Sequence, residues 1–351
     1  MKSPTPTPLS DAHGLPRHLR RPGSVVVQWS LTLIVVLFLS AFIIWPVVNV
    51  FRGAFSKGVD QYVKTFYVPT PADTSTLSRA EKRQLAKDQS QAERTREAVM
   101  MTVSVAAIVV PLNTIFGIAA AWAITKFKFR GKTLLISLID LPFSVSPVVS
   151  GLIFVLLMGR VGIFGDWATH LNWPWPWSAY WRGFDVSWFP IGFAEWKQGV
   201  IFTPLATALA SAFVTFPFVA RSLIPLMASQ GVEQEQAALT LGAKGRQMFF
   251  RVTLPAIKWG LIYGVILCTA RAVGEFGAVS VVSGNTNAND TMPLRIEKIW
   301  QSYNTQQAFS LASLLATVSV ATLLLKIFVD RKKAQQSLET SPGKTAQGAV
   351  K

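Results

Sequence analysis

Residues 233–260 read EQEQAALTLGAKGRQMFFRVTLPAIKWG. Helix formers run from Glu233 to Leu241. Gly242 follows, and glycine ends or bends a helix because it enters left-handed backbone without a Cβ clash. The next piece is amphipathic, with Met248, Phe249 and Val252 toward one side and Arg246 and Arg251 among the polar positions. Leu254-Pro255 then opens a long apolar run. Proline suits a first helical turn, where its missing N–H has no partner to lose. Another apolar run, about residues 200–226, ends shortly before Glu233. The stretch predicts a short helix–turn–helix at a membrane surface, between two spanning helices. A helix lying in the headgroups with no protein partner shares that pattern.

Working outward, a helix needs about 20 apolar residues to cross roughly 30 Å of hydrocarbon. Six runs qualify, at about residues 25–51, 98–124, 133–158, 200–226, 256–283 and 307–329, the third interrupted by Pro142 and Pro147. Backbone groups in lipid must be paired internally, and these runs are too long for barrel strands. The expected fold is therefore an all-α membrane protein of six transmembrane helices with a cytoplasmic helix between the fourth and fifth. Composition agrees: half of the 351 residues are hydrophobic and 15% are charged, against about a quarter charged in soluble domains. Residues 1–24 are polar and Pro-rich, and the run after them exceeds a signal-peptide h-region, so it reads as a retained span.

The net charge of +16 sits between the apolar runs, where the positive-inside rule explains it without a nucleic-acid partner. Lys126, Lys128, Arg130 and Lys132 lie between spans two and three, and Lys244, Arg246, Arg251 and Lys258 between spans four and five. Lys326, Arg331, Lys332 and Lys333 lie at the C-terminal end, and Arg17, Arg20 and Arg21 at the N-terminal end. All four groups fall on one side of a six-span chain, which puts both termini in the cytoplasm. The first connection, with 9 basic and 6 acidic residues, argues against that orientation and is outvoted. The resulting layout is a tail at 1–24, a first helix at 25–51, an external connection at 52–97, a membrane domain holding the other five spans at 98–329 and a tail at 330–351. Residues 71–97 read as a polar surface helix or mobile segment. Residues 159–199 hold seven of the twelve tryptophans and read as an interfacial lid or an outside docking surface.

Enzyme chemistry finds no support. Cys268 is the one cysteine, so an intramolecular disulfide is excluded, and His13, His18 and His170 show no metal-ligand spacing. Gly131-Lys132-Thr133 ends like a phosphate loop, but Lys126 stands where the first glycine belongs. No catalytic residue, metal or bound cofactor is expected in this chain.

The loop at 233–255 resembles the signature loop of binding-protein-dependent (type I) ABC importer permeases: Glu-Ala-Ala, three residues, Gly, nine residues, Ile, any residue, Leu-Pro. Here it reads Gln236-Ala237-Ala238, Gly242, Val252, Leu254-Pro255. Every interval fits. Gln236 replaces the glutamate and removes a charge; Val252 replaces isoleucine almost neutrally. Glu235 is charged but projects elsewhere on the helix. The resemblance implies a coupling helix seated on a separate ATPase chain, which uses ATP and Mg.

Charges inside spans are suspects for function. Arg271 and Glu275, four apart in span five, can pair on one helix face; Arg271 can alternatively meet an anion. Asp140, Ser144 and Ser146 in span three lie beside two prolines, where hydroxyls could face a cavity or bond their own backbone. The strings IDLPFSVSPVVSGLIFVLL (139–157), LGAKGRQMFFRVTLPAIKWGLIYGV (241–265) and ARAVGEFGAVSVVSGN (270–285) are similar to the second permease subunit of sulfate/thiosulfate importers. That likeness implies a heterodimer with a sister permease, two ATP-binding subunits, a periplasmic sulfate/thiosulfate-binding protein and a bacterial inner membrane. Molybdate and tungstate permeases share this plan. A stand-alone secondary carrier would show inverted repeats in two halves, and no half-repeat is visible.

Overall fold

The computed structural model describes residues 22–69, 77–159, 161–165, 200–284 and 289–339; among them there is helix and turn but no β-strand. The tryptophans of the expected lid, Trp167 to Trp196, lie outside the described residues, as does residue 1–21 of the N-terminal tail and 340–351 of the C-terminal one. The chain divides into two units, residues 1–50 and 51–351.

The first unit holds most of α1 (Pro22–Ala54). Its side chains from Val25 to Trp45 are almost all exposed and apolar, as expected of a helix facing lipid. The second unit continues with α2 (Val59–Lys64), α3 (Arg79–Lys126), α4 (Lys132–Ser144), α5 (Pro147–Met158) and α6 (Pro204–Gln230). Next come α7 (Glu233–Thr240), the short α8 (Gly245–Met248), a π-turn at Phe249–Thr253 and α9 (Leu254–Val273). Last are α10 (Gly277–Val282), α11 (Met292–Gln301) and α12 (Thr305–Glu339). Among the described residues five helices are long and apolar enough to cross a membrane, or six if α4 and α5 count as one bent span.

Three spans differ from the sequence expectation. The second does not begin near residue 98. α3 starts at Arg79, where Ser78 and Glu81 form a reciprocal capping box: the Glu81 amide donates to Ser78 Oγ (3.3 Å), and the Ser78 amide to Glu81 Oε2 (2.8 Å). Nothing between 79 and 98 breaks a helix, and Ala92, Thr95 and Ala98 are buried on one side of it, so the stretch is not polar all round. The third span bends by 110° between α4 and α5. The break falls at Val145 and Ser146, just before Pro147, because proline drives the preceding residue into extended backbone; Ser146 has φ −58° and ψ 138°. Pro142 stays inside α4. The fifth span stops at Val273, and α10 begins after a break of three residues.

α6 lies at the centre of the second unit. Its Val219, Leu223 and Met227 pack with Ala121 of α3 and Ile257 and Cys268 of α9. Contact between membrane helices depends on small residues and interhelical polar bonds, since lipid is as apolar as leucine. Both are present. Asn113 of α3 is buried and donates to Thr215 Oγ1 (2.8 Å) and to the Ala212 carbonyl (3.1 Å) of α6. Gly117, one turn further on, lets α3 approach so closely that a Cβ there would meet the Val219 side chain at 2.8 Å. Gly117→Val should therefore force α3 and α6 apart and lower stability by about 1–3 kcal/mol. Thermal unfolding in detergent checks this; an unchanged midpoint would refute the close approach.

Candidate functional site

The signature loop is held rigidly at one end of the helical bundle. Lys126, the last residue of α3, meets Glu235 of α7 with Nζ to Oε2 at 2.9 Å, and the two side chains are 9% and 12% exposed. Lys126 also donates to the Gly231 carbonyl. The other Glu235 oxygen accepts from Thr253 Oγ1 at 2.8 Å. One carboxylate thus joins the end of α3, the loop helix α7 and the turn leading into α9. Thr253 reaches it from the π-turn, where Pro255 supplies no N–H to the carbonyl four residues back.

Glu235 therefore points inward, and the opposite face of α7 is open. Gln236, Ala237 and Leu239 are exposed, Ala238 is half-buried, and Leu241 is 88% exposed. Gly242 ends the helix in a Schellman motif: its amide donates to the Leu239 carbonyl (2.9 Å) and the Ala243 amide to the Ala238 carbonyl (3.0 Å). It has φ +81°, which explains the glycine, because L side chains are strained there. Beyond it Met248, Phe249 and Val252 are half-buried while Arg246 and Arg251 are exposed, matching the amphipathic reading. Phe249 packs on Trp122 of α3, ring centroids 5.1 Å apart. Leu254 is half-buried and Pro255 exposed at the start of α9.

The intramembrane charges form two pairs. Arg271 Nη1 lies 2.8 Å from Glu275 Oε2, with Glu275 buried and Arg271 one-third exposed. The pair is not on one helix face, as α9 ends at Val273 and Glu275 sits in the break. Its other oxygen accepts from the Ala278 amide (2.9 Å) and so caps α10. Asp140 does not join this pair. It meets Arg221 of α6, Nε to Oδ1 at 2.9 Å, with the guanidinium 4.8 Å above the Phe143 ring. Ser144 is exposed, with Oγ 3.5 Å from the Asp140 carbonyl of its own helix, and Ser146 is exposed at the start of α5. The Ser146–Pro147 break and the Glu275–Gly277 break lie against each other: a Cβ on Gly277 would fall 3.0 Å from Pro147 Cβ.

Sequence reading passed over Arg221, although it is the one charged residue in the run 204–230. It also missed Lys126 and Thr253 as partners of Glu235, since contacts between residues so far apart leave no local pattern. In the structure Asp290 and Arg295 are buried, and Lys298 Nζ lies 2.6 Å from Asp290 Oδ1. Burial pushes the Asp290 carboxyl above its ordinary range, opposed by Lys298, and lowers the Arg295 guanidinium. No group of three or more His, Cys, Asp or Glu side chains that could hold a metal occurs among the described residues.

Residues 113–333 match the description of binding-protein-dependent transport system inner membrane components, a segment containing the loop and all four intramembrane charges. The chain belongs to that family. Within it, the chain is 39% identical over 312 residues to the sulfate transport system permease protein CysW of Synechocystis sp., covering 89% of this chain and 95% of that protein. Similarity to the sulfate transport system permease protein CysT of Escherichia coli is 35% over 217 residues, 62% of this chain and 68% of that one. A chain in the crystal structure of a bacterial alginate ABC transporter, complexed with an alginate pentasaccharide-bound periplasmic protein, has the same fold: TM-score 0.60 at 16% identity, covering 87% of this chain and 93% of that one. The family's fold is thus present here, with the signature loop projecting from the bundle.

Removing Lys126 leaves a buried carboxylate without its cation. Lys126→Met should destabilise the loop by about 3–5 kcal/mol, whereas Lys126→Met with Glu235→Leu should recover most of that. Hydrogen exchange of the amides at 233–253 reads the difference; equal protection in both variants would show that the pair does not hold the loop.

Proposed function

We propose that this chain is the transmembrane subunit of an ATP-driven importer that carries sulfate, or a closely related oxyanion such as thiosulfate, across a bacterial inner membrane. The observation that carries this reading is the loop at 233–255: its inner side is tied to α3 and α9, while Gln236, Ala237, Leu239 and Leu241 stand open to a partner. A passive headgroup helix has no need of such a brace. Sulfate as cargo is supported by the names and coverage of the relatives.

On this reading α7 seats in a groove of an ATPase chain, and two such chains bind the ATP and Mg that this chain does not. The absence of a charge at Gln236 leaves that contact to shape and apolar area. A sister permease completes a heterodimer, and a periplasmic sulfate/thiosulfate-binding protein delivers the anion. Both termini and the loop face the cytoplasm. Closure of the ATPases moves the braced helices as rigid bodies and switches access between the two sides. Arg271, with Glu275 as its counter-ion, together with Asp140, Ser144 and Ser146, borders the path. No bond of the substrate is made or broken by this chain.

Reconstitution with the sister permease, the ATPase and the binding protein tests the proposal. Sulfate uptake into liposomes should require ATP and every partner; uptake by this chain without an ATPase would refute it. Gly242→Val should abolish uptake while membrane insertion stays normal. The space around Gly242 is open, so the damage comes from backbone strain of about 1–2 kcal/mol that reshapes the docking turn. Normal uptake in that variant would separate the turn from coupling.

A further inference from the structure

We infer that Arg221 is a second anion contact, in the half of the membrane next to the coupling loop, and that Asp140 is its built-in counter-ion. The inference rests on the importer reading above and adds a residue to it.

The exposure pattern of α6 carries the argument. From Pro204 to Ala220 every side chain of this central helix is buried or half-buried. The first to emerge is Arg221, 53% exposed, and it is the helix's one charge. A helix covered by its neighbours on all sides up to that point opens at a cation and not at a leucine. Arg221 lies nine residues before the end of α6, and Asp140 eight residues after the start of α4. At 1.5 Å per residue both sit about 12–14 Å in from the loop end. A charge at that depth is unfavourable against lipid, so such residues face a water-filled route or a protein partner. Asp140 is 37% exposed, so the pair is not sealed as a purely structural tie would be. Its closest approach is through Nε, one of five N–H donors on the guanidinium. The guanidinium lies over the Phe143 ring, a cation–π contact that favours this position.

Arg271 repeats the design further from the loop. It lies seventeen residues into α9, about 26 Å along, and is likewise partly exposed beside a carboxylate of its own chain. Two arginines at different depths, each restrained by an acid, suit a doubly charged oxyanion that must be bound and then released. An unrestrained guanidinium in a low dielectric would hold it too tightly.

The reconstituted transporter with all its partners tests this. Arg221→Met should lower sulfate uptake by about tenfold or more. Ligand-stimulated ATP hydrolysis and recovery of every partner chain should persist, and Arg221→Lys should regain much of the uptake. Arg221→Met with Asp140→Leu removes both charges, which a plain tie between helices tolerates. Wild-type uptake in that double variant overturns the inference, as does loss of the sister permease from the Arg221→Met complex, which would mark an intersubunit ion pair. Arg221→Cys gives a readout independent of uptake, because Cys268 is buried. A water-soluble methanethiosulfonate reagent should modify the introduced thiol, more slowly in sulfate. No modification in a complex that still hydrolyses ATP overturns the inference. If the wild-type complex moves no sulfate, the importer reading and the inference fail together. If it does and Arg221→Met leaves uptake unchanged, the inference alone is lost.

Discussion

A backbone amide or carbonyl left unpaired in hydrocarbon costs on the order of several kcal/mol, and that cost bears on the two helix breaks within spans among the described residues. The long helices need no help, since each closes its own hydrogen bonds. The two interruptions within spans, at 145–146 and 274–276, are set against one another. Glu275 closes one of the gaps by accepting from the Ala278 amide. Gly151 allows the contact, as a Cβ there would lie 2.7 Å from the Ala278 carbonyl oxygen. The residues that break the helices are thus also among those that let the broken ends pack, and the charged Glu275 sits in one of the breaks.

The same economy governs the loop. A helix of eight residues is too short to be stable by itself in water, so α7 depends on tertiary anchors. Glu235 provides them by spending both oxygens on other elements, and the Phe249–Trp122 contact adds an apolar one. Because Glu235 fixes both the end of α3 and the turn into α9 to α7, a push on the loop, on the coupling role proposed above, would be passed to two spans at once. A loop joined only through its chain ends would flex and absorb the displacement. The proposed coupling role calls for such a brace, and a buried ion pair provides it more directionally than apolar packing does.

Much of this was legible in the sequence. Apolar runs of the right length gave the spans, and fixed intervals around Gly242 gave the turn, because both are local properties. Boundaries were less legible: nothing in SRAEKRQLAKDQSQAERTREA (78–98) announces that α3 continues through it, since a polar helix and a polar linker share composition until burial on one side is known. Pro142 and Pro147 looked alike, yet one is carried inside a helix and the other starts a new one; the difference lies in which neighbours can cover the freed backbone. The intramembrane pairs were half visible. Arg271 and Glu275 are four apart and were matched, while Asp140 and Arg221, 81 positions apart by number, meet only through the packing of α4 on α6.

The remaining step concerns charge. Moving a dianion through a low-dielectric bundle requires cations, but cations fixed in that bundle carry their own desolvation penalty. Pairing each arginine with a carboxylate of the same chain lowers that penalty when no substrate is present. On the proposed role, an arriving anion competes with the acid for the guanidinium and does not enter an empty, strongly attractive site. Binding is weakened by the strength of the internal pair, and release is correspondingly favoured, as any route that must pass its cargo onward requires. Asp140 and Glu275 differ in a way that fits this. Glu275 is fully buried and committed on its second oxygen to the Ala278 amide, so it is held to one geometry. Asp140 is partly open to its surroundings. The pair nearer the braced loop is therefore the more accessible one, and on the proposed role it is the one that motion passed from α3 and α9 to α6 would have room to rearrange.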